Sequence, residues 1–440
     1  MKNRIAIASL IIGIIGLGIF SAYALEIPYD RYVPLRAEEK IPEKPFLSHL
    51  LVYPFEILRG PLDKILVYLE SHHVYDKTDY IYEQVKNHGL SLRARALFGG
   101  ENPGGGFNLD FIRLTNLQEV LPNTTVRGSA FWTFDHISDY ELKIKQEKIG
   151  GTGLFLGEKS EYENRGEEHF YGIGPETSLG DGTSYRMERT TLAFPIGYEL
   201  SDTIKIHGNF DYKNVNITNG EDGGRGEIDQ IFVATGRQRI PGLGGDQILS
   251  WGLGAEHDNR DDQELPTQGG YESLNVSFNK GLESSSGYFK YRAEATHFFK
   301  LRSDRRILAL RGVVEHNAEV GHRDVPFFDM ARMGGYGTYP RLADVNRGLS
   351  RSRFYDKNLV LMNAEYRWPV WEYREWRMDS SLFVDNGQVF RGLSKFQFKD
   401  FQISYGMGFR LSFQGEVLLS VEAARSHEGS QFYVETRTPF

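Results

Sequence analysis

From Leu90 onward, apolar and polar side chains alternate with a period of two in one run after another. Between Phe401 and Phe413 the apolar set is Phe401, Ile403, Tyr405, Met407, Phe409, Leu411 and Phe413; Gln402, Ser404, Gly406, Gly408, Arg410 and Ser412 fall between them. Leu192, Phe194, Ile196, Tyr198 and Leu200 repeat the arrangement, as do Leu274, Val276 and Phe278. Successive side chains of a strand point to opposite faces, so each run makes one apolar face and one polar or tiny face. A soluble sandwich shows the same alternation as a barrel in lipid. Connection lengths separate the two. Short links are expected near residues 150, 201, 266, 302, 371 and 414, and longer, Gly-rich, charged ones near 164–183, 217–246, 280–286, 322–357, 390–400 and 425–430. Tight turns at one end and long loops at the other mark a transmembrane barrel, whose backbone groups must all be paired within lipid. The pattern predicts an all-β fold, a 16-stranded antiparallel transmembrane β-barrel over 90–440. That is roughly 22 residues per strand with its connection, enough for tilted strands of about 9 to 11 residues.

The chain before Leu90 reads differently. Lys2 and Arg4 precede an apolar run from Ile5 to Phe20, and Ala22 and Ala24 then offer a small-x-small cleavage pattern, so 1–24 is expected to be a cleaved signal peptide. A membrane anchor of about 18 apolar residues is the alternative. In 25–89, Phe46, Leu47, Leu50, Leu51, Phe55 and Leu58, then Leu62, Ile65, Leu66 and Leu69, recur at helical spacing, with Pro61 placed to open a second helix after Gly60. This segment is expected to form short amphipathic periplasmic helices followed by a polar connector.

Composition narrows the function classes. The chain has no Cys, which removes disulfides and thiolate metal sites. Its formal charge of −8 becomes about −10 once Lys2 and Arg4 are removed, which disfavours a nucleic-acid role. No Gly-x-Ser-x-Gly elbow, phosphate-binding loop or His-Glu-x-x-His occurs, so no enzyme and no cofactor are expected. Acidic groups at Asp258, Asp261, Asp262 and Glu264, and at Glu221 and Asp222, have the composition of solvated turns, and no metal is expected.

Several segments carry a resemblance. HDNRDDQELPTQGGYESLNV, residues 257–276, resembles the Asp-x-Arg-Asp … Pro-x-x-Gly turn of the BamA/TamA superfamily, the bacterial surface antigen barrels; FYGIGPETSLGDGTSY, 170–185, resembles another of its segments. The order Gly334-Gly335, then Arg347-Gly348, then RFYDKNLVLMNAEYRWPV and LFVDNGQVF is similar to the family's long sixth outer loop and the two strands after it. In the family those strands carry a Glu and a Phe-x-Asp-x-Gly motif, here Glu365 and Phe383, Asp385 and Gly387. The resemblance covers roughly 90–440. It implies an outer-membrane barrel whose first and last strands can part.

The loop and the strands after it suggest a charged contact. Asp385 shares its parity with Phe383 and Gly387, opposite to Leu382 and Val384, so it should face the lumen; Glu365, opposite in parity to Met362, Ala364 and Tyr366, should do the same. A loop folded into the lumen would offer Arg347 to these carboxylates, with Gly348 permitting a tight reversal. The family has an aromatic after Arg-Gly where this chain has Leu349, and Arg341 is a rival for the contact. A hairpin turning near 371 would set Glu365 opposite residue 378, too far from Asp385 for one guanidinium to hold both without shear or a bulge. Solvated lumen lining is the bland alternative.

Resemblance also implies a role in inserting or assembling outer-membrane proteins, or in handling lipid, through a lateral seam. The family's insertases receive clients on POTRA modules, βααββ units of roughly 75 residues, and 25–89 shows helices without strands. Two other readings stay open, a passive gated pore and a structural or surface-antigen barrel. The expected partners are outer-membrane lipid and client outer-membrane proteins or a periplasmic partner, around a monomeric barrel.

Overall fold

The computed structural model of the chain describes residues 90–99, 104–111, 123–132, 137–220, 226–236, 238–263, 265–301, 306–321, 323–336, 344–373, 375–413, 415–435 and 438; of these, the side chains of 90–99, 104–111, 131–132, 229 and 416 are not described. The expected signal segment, the helices of 25–89, Arg341 and the last two residues lie outside the described residues.

Among the described residues, sixteen strands of seven or more residues form the wall. They are β1 (Leu90–Gly99), β2 (Gly104–Phe111), β3 (Thr124–Trp132), β4 (Ile137–Gln146), β5 (Leu154–Phe170), β6 (Thr183–Glu199), β7 (Ile204–Asn219) and β8 (Gly245–Asp258), then β9 (Gly269–Gly281), β10 (Gly287–Lys300), β11 (Ile307–Glu319), β12 (Asn358–Tyr373), β13 (Trp376–Phe390), β14 (Gln402–Phe413), β15 (Glu416–Ser426) and β16 (Gly429–Glu435). All belong to one sheet in which β2 neighbours β3 and every other strand pairs antiparallel with the next, and β16 returns to pair with β1. The same meander continues through β8 to β16. Among the described residues the β1–β16 ladder runs only from Leu97 opposite Glu435 to Gly99 opposite Tyr433, whereas β1 pairs with β2 from Leu90–Phe111 to Leu97–Gly104.

The alternation sorts side chains as a barrel in lipid requires. Phe194, Ile196, Leu253, Leu274, Val384, Ile403 and Tyr405 face outward and are exposed, while the intervening positions of the same strands are more enclosed. Links are short at one end, as at 200–203 and 374–375, and long at the other, where 220–244 and 320–357 lie. One expected long link is absent: residues 427–428 alone join β15 to β16.

The loop end is filled rather than open. Phe170, Tyr185, Met187, Val215, Ile217 and Ile248 from the walls pack with Ile228, Phe232, Ile240, Phe327, Phe328 and Tyr355 from the loops. Loops read as Gly-rich and charged thus carry an apolar cap. Ridding those side chains of water stabilises the loops by roughly 1.5–3 kcal/mol for each large residue fully covered.

Candidate functional site

The segment between β11 and β12 enters the lumen and returns. Ala331–Met333 pairs antiparallel with Phe354–Asp356, making a small hairpin base. Above it the chain must turn sharply, and Gly334 and Gly335 do so at φ 130° and 87°, a region that side-chain-bearing residues rarely adopt. The Gly335 N–H donates to Asn346 O at 3.0 Å and the Asn346 N–H returns a bond to Gly335 O at 3.1 Å, which fixes the strand leading to the tip. Asn346 is tied to the wall as well, donating from Nδ2 to Gln402 O at 2.9 Å and accepting from Ser404 Oγ at 2.7 Å.

Arg347 follows and is fully buried. Its Nε and Nη2 donate to the two oxygens of Asp385, each at 2.8 Å, and its own backbone N–H adds a third bond to Asp385 at 2.9 Å. The remaining Nη1 reaches Glu365 at 2.7 Å and Glu422 at 3.1 Å. The guanidinium carbon lies 3.3 Å from the centre of the Phe383 ring, a cation–π contact that fills the space beneath the fork. Glu365 in turn accepts from Arg367 Nε at 2.8 Å and from Arg410 Nη2 at 3.4 Å. Arg347, Arg367 and Arg410 therefore balance Glu365, Asp385 and Glu422, and Asn363 Nδ2 braces Asp385 at 2.8 Å. With these side chains buried, the bidentate geometry and this balance offset the desolvation cost of the charges.

Just before the tip, the loop carries the opposite charge to neighbouring strands of the same wall. Asp344, three residues before Arg347, accepts from Arg292 Nη1 and Nη2 at 2.8 and 2.9 Å and from Arg311 Nη2 at 3.1 Å. Arg292 and Arg311 stand on β10 and β11, while Asp385, Glu365 and Glu422 stand on β13, β12 and β15. The tip is thus clamped along one run of neighbouring wall strands, and Arg311 Nη1 donates to Asn363 Oδ1 at 3.2 Å, which links the two charged clusters. Further along, Arg353 holds Glu428 at 2.9 Å and Arg351 pairs with Glu168 of β5.

Glycines set the spacing. Gly348 does not adopt the left-handed conformation expected for a reversal; a Cβ there would collide with Ser404 Cβ and lie 2.8 Å from the carbonyl carbon of Arg425, so its smallness permits close approach of the loop to the wall. Gly387 does the same on β13, where a Cβ would lie 2.6 Å from Met333 Sδ and 2.7 Å from Leu361 Cδ1. Leu349, in the place of the family's aromatic, is fully buried among Met333, Phe354, Leu359, Leu361 and Val389.

The separation expected between Glu365 and Asp385 is not found. The β12–β13 turn lies at 374–375 rather than near 371, and a register shift between Pro369 and Trp371 brings Glu365 opposite Phe383 and Asn363 opposite Asp385. The two carboxylates are then two residues apart along one face, within reach of one guanidinium. Glu422 was missed by sequence reasoning; its alternation with Val421 and Ala423 was the available signal.

Comparison with known proteins places the barrel. The Omp85 superfamily domain matches residues 84–414. The chain belongs to the Omp85 superfamily. Among solved structures, the Omp85 barrel here is similar to BamA from Haemophilus ducreyi lacking POTRA domains 1–3, with a TM-score of 0.54 and 13% identity over 82% of this chain and 78% of that one. It is also similar to CdiB from Acinetobacter baumannii (TM-score 0.50, 13% identity, 79% of this chain and 60% of that one) and to CdiB from Escherichia coli (0.51, 11%, 78% and 62%). The chain spans about three fifths of each CdiB. No curated protein matches it.

Proposed function

We propose that this Omp85 barrel acts at the seam between β16 and β1, helping a client outer-membrane protein or a lipid to enter the membrane, and that Arg347 on its loop serves as the lock that keeps the lumen filled meanwhile. The observation that carries this reading is that β16 meets β1, from Leu97 opposite Glu435 to Gly99 opposite Tyr433 among the described residues, beside a lumen filled by the loop that Arg347 ties to Asp385. A passive pore needs an open path, and the buried Asp344–Arg347 tip and the apolar cap stand in it. An export signal over 1–24, a periplasmic helical segment over 25–89, a monomeric barrel and a periplasmic partner that presents clients belong to the same proposal; the chemistry is physical transfer, with no bond made or broken. A structural or surface-antigen barrel shares the filled lumen but gives the seam no task.

Reconstitution separates these readings. The purified chain in lipid vesicles should speed the insertion of an unfolded outer-membrane protein or the transfer of a labelled lipid, and should show no steady conductance in planar bilayers. A steady open conductance with no effect on insertion or lipid transfer would establish the pore instead.

A further inference from the structure

The link between β13 and β14 does not fold into the lumen. Phe390 shares its parity with the outward, exposed Leu382 and Val384, and Phe401 shares its parity with the outward Ile403 and Tyr405. The link drapes over this outer face: Phe396 meets Phe390 and Phe401 with ring centres 5.4 and 5.9 Å apart, and Gln388 Nε2, also on the outer face and buried, donates to Gln397 O at 3.0 Å. Two single-turn 3-10 segments, Leu393–Lys395 and Phe398–Asp400, give it a defined shape.

What this shape presents is unusual for an extramembrane loop. Phe398 is 82% exposed and Leu393 69% exposed, although a large apolar side chain gains about 1.5–3 kcal/mol on leaving water. Arg391, Lys395 and Lys399 surround them, all exposed, with Asp400 as the acidic residue of the link, in a chain whose net charge is −8. The patch continues upward from the apolar band of Leu382, Val384, Ile403 and Tyr405, so it sits where acyl chains give way to headgroups.

We propose that residues 391–401 form a lipid hook: Phe398 and Leu393 enter the rim of the bilayer while Arg391, Lys395 and Lys399 bind the phosphates of anionic lipid headgroups. Continuity with the lipid-facing band and the local excess of positive charge select lipid as the occupant. The hook fixes the height and tilt of β13 and β14 in the membrane, and thereby the wall that bears Asp385.

The inference rests on the chain spanning a bilayer, and the test keeps the two apart. A polarity-sensitive dye is placed on Phe398→Cys and, separately, on Val384→Cys in the full chain, reconstituted in phosphatidylcholine alone or mixed with phosphatidylglycerol. Blue-shifted emission is expected at both positions, with quenchers at headgroup depth acting more strongly at 398 than at 384. Phosphatidylglycerol should deepen the shift at 398, and Lys395→Gln and Lys399→Gln should each cut that preference about fivefold, the factor for roughly 1 kcal/mol per basic residue at an anionic surface. A water-like signal at 398 with a lipid-like one at 384 would overturn the hook and leave the barrel standing. Water-like signals at both would overturn the barrel and the hook together. A shift at 398 produced by inorganic phosphate in phosphatidylcholine would assign the basic cluster to free phosphate and overturn the lipid reading.

Discussion

Arg347 and Asp385 meet in a two-pronged ion pair, Nε and Nη2 against Oδ2 and Oδ1 at 2.8 Å each, with neither side chain exposed to water. The pair joins a loop to a wall strand 38 residues away, so it holds tertiary structure and not a local turn. Removing either member leaves the other buried and charged. Arg347→Ala or Asp385→Ala should each cost about 3–5 kcal/mol, and the double change should cost much less than the two added. Midpoints of heat-induced gel-migration change in detergent would report the ranking. Simple additivity would show that the pair contributes no coupling.

The two charged clusters that hold the loop should depend on one another. Asp344→Ala removes the loop's partner for Arg292 on β10 and Arg311 on β11, and Arg347→Ala removes its partner for Asp385 on β13. If the tip docks as one unit, the second loss falls on a loop already released and costs less than it would alone. Limited proteolysis of the loop is expected to rise sharply with either single change and little further with both. Independent, stepwise increases would mean that the two contacts hold separate segments.

Close approach predicts a steric series. Gly348→Ala places a methyl against Ser404 and Arg425, and Gly387→Ala places one against Met333 and Leu361. Each should cost about 1–3 kcal/mol by overpacking, although neither glycine has a left-handed backbone. Gly334→Ala adds backbone strain at φ 130° to its clash and should be the worst of the three. The same gel midpoints check the order, and an unperturbed Gly348→Ala would contradict the packing described.

Much of the wall was legible because lipid forces a period of two on every strand. Leu192 to Leu200 and Ile403 to Met407 face outward as their alternation requires. The inward direction of Asp385 and Glu365 followed from the same parity, but their distance did not. Pro369, Trp371 and the aromatics beside them interrupt alternation at a bulge, and the turn two residues further on carries no Asn-Gly or similar signal. Long loops have no period at all, so Ile228, Phe232, Ile240, Phe327 and Phe328 gave no sign that they cap the lumen together. Asp344 was equally silent, since nothing in the sequence sets how far the loop folds back along the strands that bear Arg292 and Arg311.

The central claim, that the barrel acts by parting β16 from β1, is tested most directly by a reversible lock. Phe98 lies opposite Val434 in the β1–β16 ladder, and the chain has no cysteine of its own. Facing residues of an antiparallel pair lie within the distance that a disulfide can bridge. With Phe98→Cys and Val434→Cys combined, client insertion or lipid transfer in vesicles should be lost on oxidation and regained on reduction, while the barrel keeps its heat-dependent gel migration. Equal activity of the fully crosslinked and reduced forms would contradict the account.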